Sequence, residues 1–385
     1  MNQKEFLDRY NDLTGVFLRK FGNDAGEGNL VFSPFSIISL LAIMADAAAG
    51  STQQEVLNLM YGDLPHEGFP GQLKAARKEL ARRNSWLYDD PCHDRPAPGR
   101  RDQLCIANAV FVRESLKEFI QPCFEKHLND TYDGELFSSP DLKTAMRKWS
   151  AKGLREMLPL LEEIVKSQHL LAMINTVFFQ AMWCSPYGGR NVREGIFHNA
   201  DHSDSKVTML YGGGDGYVEN EFATGFLKDF QQCNYTFMAL LPRKKGPEAL
   251  CDVINNTDFS ALMECSNYRT ILHTKMPEFK VSFRTVLNET LKSLGIQEAF
   301  TLQADFSPMA AVPLMVDQII HQAKIEVDRN GARASAATEL IFFGAGLPDD
   351  EKYVMIDRPF VFAILHKELK IPVFVGVVNH MDPVG

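Results

Sequence analysis

The segment that decides the fold reads Gly331-Ala-Arg-Ala-Ser-Ala-Ala-Thr-Glu-Leu-Ile-Phe-Phe-Gly-Ala345. If this segment is extended, its side chains alternate between two faces, and one face carries Ala332, Ala334, Ala336, Thr338, Leu340 and Phe342. Alanine is depleted from settled strands, but small side chains suit a strand that must slide between two neighbours already formed. Because alanine-rich runs also form helices, a short helix or a plain surface loop is the alternative. The pattern favours a strand that has not yet joined its sheet.

Strand-like runs lie on both sides of this segment. Residues 104–112, 171–179, 235–242, 324–328, 352–356, 358–366 and 371–378 are rich in β-branched or aromatic residues and are bounded by turn formers. The first third is helical instead. An N-terminal amphipathic helix is predicted by apolar residues at helical spacing, namely Phe6, Tyr10, Leu13, Phe17 and Phe21.

Three further helices are predicted from local signals. Ser33 and Pro34 provide an N-cap and a first helical position for residues 35–49. Thr52 and Glu55 have the spacing of a capping box, and residues 286–294 form another helical stretch. Helices first and strands later indicate the α+β class.

The chain shows no internal repeat and no long linker, so residues 1–385 are predicted to form one domain. Residues 84–103 shift to proline and charge with little apolar periodicity, which predicts an exposed, insertion-like loop.

Composition excludes several classes of partner. The net charge is −9 and the pI about 5.6, whereas nucleic acids and anionic membranes require a positive protein surface. No run approaches the roughly 18 apolar residues of a membrane span. The seven cysteines have no paired spacing and no zinc-site pattern. We therefore expect no nucleic-acid or membrane partner, no metal and no cofactor, and, without a visible export signal, a cytoplasmic location.

Signatures of enzymes are missing from the sequence. It has no GxSxG elbow, no HExxH, no Walker loop and no GxGxxG after a strand. The cluster at residues 212–216 lacks the lysine and hydroxyl of a phosphate loop and is interpreted as a turn. The sequence therefore predicts a protein that is not an enzyme, with no catalytic residues.

At the 331–345 segment the sequence resembles the serpin family, whose reactive loop begins with a glycine and an alanine-rich hinge. The resemblance extends over nearly the whole chain through motifs in the family's order. These are the runs at residues 29–37, 106–112, 175–179, 277–280, 294–296, 304–307, 357–360 and 374–383, together with Trp183 and His321.

The resemblance implies the serpin fold, with about eight to nine helices around three β-sheets and an exposed reactive-centre loop at residues 331–350. It implies a hinge of Gly331, Ala332, Arg333, Ala334, Ser335, Ala336, Ala337 and Thr338. It also implies shutter and breach residues, which are Ser33, Ser36, Asn175, Trp183 and His321.

The function implied is suicide-substrate inhibition of serine proteases, with cysteine proteases as a second class. The protease forms an acyl-enzyme with the cut loop, which inserts into the central sheet before the ester is hydrolysed. The family's spacing, with Gly331 as the first of fifteen residues, puts the reactive bond at Ala345-Gly346 and implies an elastase-like or subtilisin-like target. The alternatives are a chymotrypsin-like target cleaving Phe343-Gly344, and a non-inhibitory serpin that acts as a carrier, chaperone or storage protein.

Two residues depart from the family's pattern. Arg329 stands where the family usually carries glutamate, and Ala332 replaces the usual threonine or serine. We expect Ala332 to permit insertion. The reversed charge at Arg329 is expected to weaken local ion pairing and to ease premature insertion, so loop–sheet polymers are a hypothesis beside the expected monomer.

Overall fold

The structure of the protein is a computed structural model that describes residues 1–62, 64, 68–80, 103–153, 169–231, 234–332 and 351–382. The predicted insertion-like loop lies outside these residues, except that Gln103 begins a strand. None of the helices in the described ranges combines the length and the apolar character needed to cross a membrane.

Nine α-helices lie within the described residues. They are α1 (Gln3–Ala25), α2 (Pro34–Ala47), α3 (Gly50–Tyr61), α4 (Phe69–Leu80), α5 (Pro122–Tyr132), α6 (Leu142–Gly153), α7 (Pro247–Asn256), α8 (Phe259–Glu264) and α9 (Asn288–Ser293). Together with the strands they confirm the α+β class.

The described strands form three sheets. The central sheet has the order β11 (Phe279–Val286), β12 (Gln318–Val327), β13 (Gly331–Ala332), β4 (Leu171–Met182), β2 (Gln103–Arg113) and β3 (Gly134–Ser139). The second sheet has the order β1 (Leu30–Phe32), β16 (Ile371–Val378), β15 (Phe360–His366), β9 (Tyr235–Pro242), β8 (Ala223–Asp229) and β7 (Gly216–Glu219). The small sheet has the order β14 (Glu351–Met355), β10 (Ile271–Pro277), β6 (Asp204–Gly212) and β5 (Val192–His198).

Helix α2 lies in the interior and contacts both β4 of the central sheet and β16 of the second. Every residue of α2 except Asp46 is buried, as expected for a helix that is apolar on all sides. The side chain of Ser33 accepts a hydrogen bond from the Ser36 N–H, and Pro34 is the first helical residue. The predicted N-terminus of this helix is therefore confirmed, while the helix ends at Ala47 rather than Ala49.

Two local predictions were wrong. The predicted capping box at α3 does not form, since the N-cap is Ala49 with no side-chain bond. Thr52 instead donates to Glu298, and Glu55 accepts from the backbone of Gln297. The second error is at Val286, which belongs to β11, while the following helix occupies only Asn288–Ser293.

Candidate functional site

The hinge pair Gly331 and Ala332 (β13) is seated at one end of the central sheet, between β12 and β4. Ala332 pairs antiparallel with Val327 and with Ala181 and is fully buried in the main hydrophobic core. A Cβ at position 331 would collide with the carbonyl oxygen of Ala181 and would lie 2.7 Å from Met182 Cα. Only glycine therefore permits this close approach.

A tight turn leads into the hinge, at the end of the sheet that we call the breach. The Asp328 carboxylate accepts hydrogen bonds from the backbone N–H groups of Asn330 (2.6 Å) and Gly331 (3.0 Å). Trp183 Nε1 donates to the Asp328 carbonyl at 2.9 Å, and the Trp183 N–H donates to the Asn330 carbonyl at 2.9 Å. The indole stacks on Phe230 with ring centroids 4.5 Å apart. Trp183 thus fixes the position of the turn from which the loop departs.

Arg329 forms a two-point ion pair with Glu278, which lies between β10 and β11. The distances are 2.9 Å from Nε to Oε1 and 3.3 Å from Nη2 to Oε2, and the Arg329 N–H donates to Oε1 at 3.1 Å. Hydrogen bonding to Glu278 raises the pKa of Arg329. The expectation that Arg329 weakens local ion pairing is therefore wrong, because an acidic residue stands opposite the reversed charge.

A buried lysine lies beneath the breach. Lys228 on β8 is 3% exposed, and its Nζ lies 4.4 Å from the centroid of the Tyr187 ring and 5.7 Å from that of Trp183. Burial lowers the pKa of Lys228, and the nearby Asp215 raises it. Burial also raises the pKa of the Cys184 thiol to about 11. The aromatic contacts offset part of the hydration that the ammonium group loses.

Below the hinge, β12 and β4 pair directly and in parallel, from Gln318 opposite Ala172 to Lys324 opposite Phe178. His321 and Asn175 face each other in this register, and we call their neighbourhood the shutter. The Ser33 N–H donates to His321 Nε2 at 3.1 Å, which leaves that nitrogen unprotonated. Burial lowers the pKa of His321 to about 3, so the ring is neutral near pH 7.

Some hydrogen-bonding capacity of the shutter is unused. Asn175 Nδ2 donates to Asn108 Oδ1 at 2.7 Å. Among the described residues, however, no partner exists for the buried atoms His321 Nδ1, Asn175 Oδ1, Thr176 Oγ1 and Ser36 Oγ. A buried polar group without a partner costs about 1–3 kcal/mol. The closed sheet is thus less favourable than an arrangement that supplies partners to these atoms.

The structure brings Ser33, Ser36, Asn175 and His321 together at the shutter, and Trp183, Gly331 and Ala332 at the breach. The remaining predicted site residues lie outside the described part of the chain. These are Arg333, Ala334, Ser335, Ala336, Ala337 and Thr338 of the hinge and both candidate reactive bonds, Ala345-Gly346 and Phe343-Gly344.

Sequence reasoning did not assign a role to Glu278 or Lys228. Glu278 lies within the serpin-like run at residues 277–280, and the pairing of Phe279 with Val327 brings it near Arg329. An acidic residue at this position was therefore an available signal. Lys228 offered none, because a single lysine in a strand reveals neither its burial nor its aromatic neighbours.

Comparison with known proteins assigns the family. The family model described as "Serpin (serine protease inhibitor)" matches residues 8–381. The chain belongs to the serpin family. Plasminogen activator inhibitor 1 of Sus scrofa is 26% identical over 369 residues, which cover 92% of this chain and 87% of that protein.

Two solved structures show the same fold. The thermophilic serpin tengpin in its native state has a TM-score of 0.80 and 26% identity, with 99% of this chain and 95% of tengpin covered. Human thyroxine-binding globulin, solved as a complex, has a TM-score of 0.82 at 21% identity, with 99% of this chain and 100% of that chain covered. The three sheets of this serpin are thus those of the family, whose members include a plasminogen activator inhibitor and a thyroxine-binding globulin.

Proposed function

We propose that this serpin inhibits serine proteases by trapping the acyl-enzyme through insertion of its cleaved loop. The observation that carries the proposal is the junction at β13. Ala332 is already paired with both β12 and β4, and Gly331 with β4. Further along, from Lys324 and Phe178 to Gln318 and Ala172, β12 and β4 pair directly with each other and no strand lies between them. We call this line of contact between β12 and β4 the seam. A loop held at one end of the closed seam can enter the sheet between the two strands once cleavage frees its far end.

The register of the hinge supports insertion down to the shutter. Continued antiparallel pairing from Ala332 brings Thr338, six residues on, opposite His321, which is six residues before Val327. On the other side Thr338 reaches Asn175, six residues before Ala181. The same alternation turns Thr338 toward the face of Ala332. Its hydroxyl can then supply a partner for His321 Nδ1 or Asn175 Oδ1, which have none in the described residues.

The proposed chemistry belongs to the protease, and the serpin supplies the peptide bond. The catalytic serine attacks the Ala345 carbonyl carbon, an ester forms, and the amine of Gly346 leaves with the rest of the chain after taking up a proton. Insertion of the loop replaces the parallel hydrogen-bond ladder between β12 and β4 with two antiparallel ladders, one between the loop and β12 and one between the loop and β4. If insertion is faster than hydrolysis of the acyl-enzyme ester, the ester persists on a displaced protease. We retain Ala345-Gly346 over Phe343-Gly344 because the longer arm reaches further into the sheet.

The test is to mix the protein with pancreatic elastase, subtilisin and chymotrypsin, and to analyse each mixture on denaturing gels and by mass spectrometry. We expect an SDS-stable complex with elastase or subtilisin and release of the peptide that begins at Gly346. A complex with chymotrypsin and a peptide that begins at Gly344 would move the bait to Phe343. Cleavage without any complex, and without a gain in thermal stability, would favour a non-inhibitory serpin and refute the proposal.

Two arginine substitutions in adjacent residues separate insertion from cleavage. Ala334→Arg places a charge on the inward face shared with Ala332, and an unpaired buried charge costs several kcal/mol. Ser335→Arg places the same charge on the outward face. We expect Ala334→Arg to be cleaved as a substrate with at least tenfold less complex, and Ser335→Arg to form complex like the parent. Equal behaviour of the two variants would contradict the inserted register.

The compartment is also a proposal. Cys123, Cys251 and Cys265 are exposed free thiols, which supports a reducing location such as the cytoplasm. Thiol-alkylation mass spectrometry on protein isolated from its native cells, with alkylation at lysis, tests this. Extensive disulfide formation by these cysteines would contradict it.

A further inference from the structure

A cavity of about 350 Å³ opens between helices α1 and α7, far along the chain from the hinge. Its walls are formed by the last turn of α1, the first turns of α7, and the ends of β9, β15 and β16. It shares no lining residue with the breach or the shutter. The cavity is therefore a separate site from the breach and the shutter.

The floor of the cavity is apolar. Leu30, Leu250, Ile254 and Val377 line it, and each is at most 7% exposed. Two polar residues of the wall are already engaged within the protein. Asn199 donates to Ser205 and accepts from the Met381 N–H, and Asn379 donates to the Gly28 carbonyl. A ligand must therefore offer an apolar body to this floor.

The rim of the cavity is cationic. Lys244 and Lys245 are exposed, and within the described ranges neither forms an ion pair. Arg358 is already engaged within the protein: its Nη2 donates to the Pro242 carbonyl at 2.7 Å, and its Nη1 lies 3.7 Å from the Asp357 carboxylate. The one carboxylate in the lining belongs to Glu27. Lys244 and Lys245 are thus the cations left for a ligand, against one carboxylate in the lining.

The start of α7 brings a helix dipole to the same region. This ten-residue helix begins at Pro247 after Gly246, whose φ is 106° and which provides no side-chain cap. The positive end of the helix dipole favours a negative group at this position, and Glu248 in the first turn already supplies one. The apolar floor and the positive rim together define an amphipathic anion.

We propose that the α1–α7 cavity binds a small amphipathic carboxylic acid. Its hydrocarbon body would lie against Leu30, Leu250 and Ile254, and its carboxylate would contact Lys244 and Lys245 at the mouth. Charge-assisted hydrogen bonds to arginine and lysine are stronger than neutral ones, so the acid binds better than its uncharged amide. The site needs no cleavage of the loop and no protease.

The wall contains a reporter, because Cys251 on α7 lines the cavity and is an exposed free thiol. The experiment alkylates the intact protein with iodoacetamide and follows Cys251, Cys123 and Cys265 separately by peptide mass spectrometry. The probe is 2-naphthylacetate, with 2-naphthylacetamide as its uncharged counterpart. We expect the acid to slow alkylation of Cys251 at least fivefold, to leave the other two cysteines unchanged, and to act at roughly tenfold lower concentration than the amide.

A double variant tests the rim. Lys244→Gln/Lys245→Gln should remove the preference for the acid over the amide, while Lys206→Gln, an exposed lysine on β6, should keep it. Unchanged thermal unfolding of both variants controls for folding. The proposal is overturned if neither compound protects Cys251, if the amide protects as well as the acid, or if Lys206→Gln loses the preference to the same extent.

Discussion

Reversing the charge of Arg329 tests how the breach is held closed. In the native arrangement its guanidinium contacts both oxygens of Glu278 at 2.9 and 3.3 Å. Arg329→Glu would bring a second carboxylate to this position, close to Asp328, whose pKa is already raised, chiefly by burial. The variant therefore replaces an attraction by a repulsion at the same place.

The size of the effect follows from exposure. The arginine side chain is 47% exposed and the glutamate 22%, so water screens the pair and its contribution lies within the 0–1 kcal/mol range of surface ion pairs. Because the guanidinium contacts both carboxylate oxygens, the contribution of this ion pair lies in the upper half of that range, at about 0.5–1 kcal/mol. Adding a repulsion of similar size gives about 1–2 kcal/mol in total. This predicts that the native monomer is lost about five to thirty times more readily.

The assay measures conversion rather than inhibition, so it does not depend on the identity of the protease. Parent and Arg329→Glu proteins are held at a mildly elevated temperature, and loss of native monomer is followed by size-exclusion chromatography. Thermal unfolding then detects inserted, more stable forms. The matched control is the swapped pair, Arg329→Glu/Glu278→Arg, which restores opposite charges.

We expect Arg329→Glu to convert about five to thirty times faster than the parent, and the swapped variant to return to within about threefold of it. If Arg329→Glu converts at the parental rate, the ion pair does not restrain the hinge. If the swapped variant is as labile as the single variant, something other than the pair accounts for the change.

Three further predictions concern the shutter and the breach. Because burial lowers the pKa of His321 to about 3 while the unfolded chain keeps about 6.5, only the unfolded state takes up a proton below pH 6.5. The free energy of unfolding should therefore fall by about 2 kcal/mol between pH 7 and 5. Urea titrations should show this loss in the exposed-histidine control His198→Gln but not in His321→Gln, and an identical pH dependence in both would contradict the assignment. In Gly331→Ala the new Cβ would collide with the Ala181 carbonyl and should expel the hinge from the sheet, which limited proteolysis would detect as faster cleavage after residue 331. Unchanged proteolysis would show that the hinge is not seated between β12 and β4. Trp183→Phe loses the hydrogen bond to the Asp328 carbonyl and should lower the free energy of unfolding by about 1 kcal/mol, measured by urea titration. A loss below about 0.3 kcal/mol would mean that the indole N–H is dispensable.

Strands with continuous apolar runs were predictable from the sequence. Residues 235–242 and 371–378 were predicted from composition and form β9 and β16 with the same bounds. The Ser33-Pro34 start of α2 was equally local, because a cap and a preorganised first residue act within a few positions. Such features depend on neighbours in the chain.

Features that join distant segments were not predictable. Thr52 and Glu55 have capping-box spacing but bind Glu298 and Gln297, which lie more than 240 residues away. The sequence does not show that Arg329 contacts Glu278, 51 residues away. Its predicted effect on local ion pairing, a weakening, was therefore the opposite of what the structure shows. For the candidate site, sequence order indicated which residues matter, whereas hydrogen-bond partners and unpaired atoms required the fold.

The seam between β12 and β4 also has a kinetic consequence, in the language of nucleation and propagation. Joining a strand to a closed sheet is slow at the first pair, where chain entropy is lost before contacts accumulate, and faster at every later pair. In the proposed insertion, the first pair would already be in place, because Ala332 is paired on both sides. Cleavage would then start a front that advances from Lys324 and Phe178 toward Gln318 and Ala172, opening one pair of residues at a time. Substitutions at the lower end of the seam should therefore change the depth of insertion while leaving its onset unaltered.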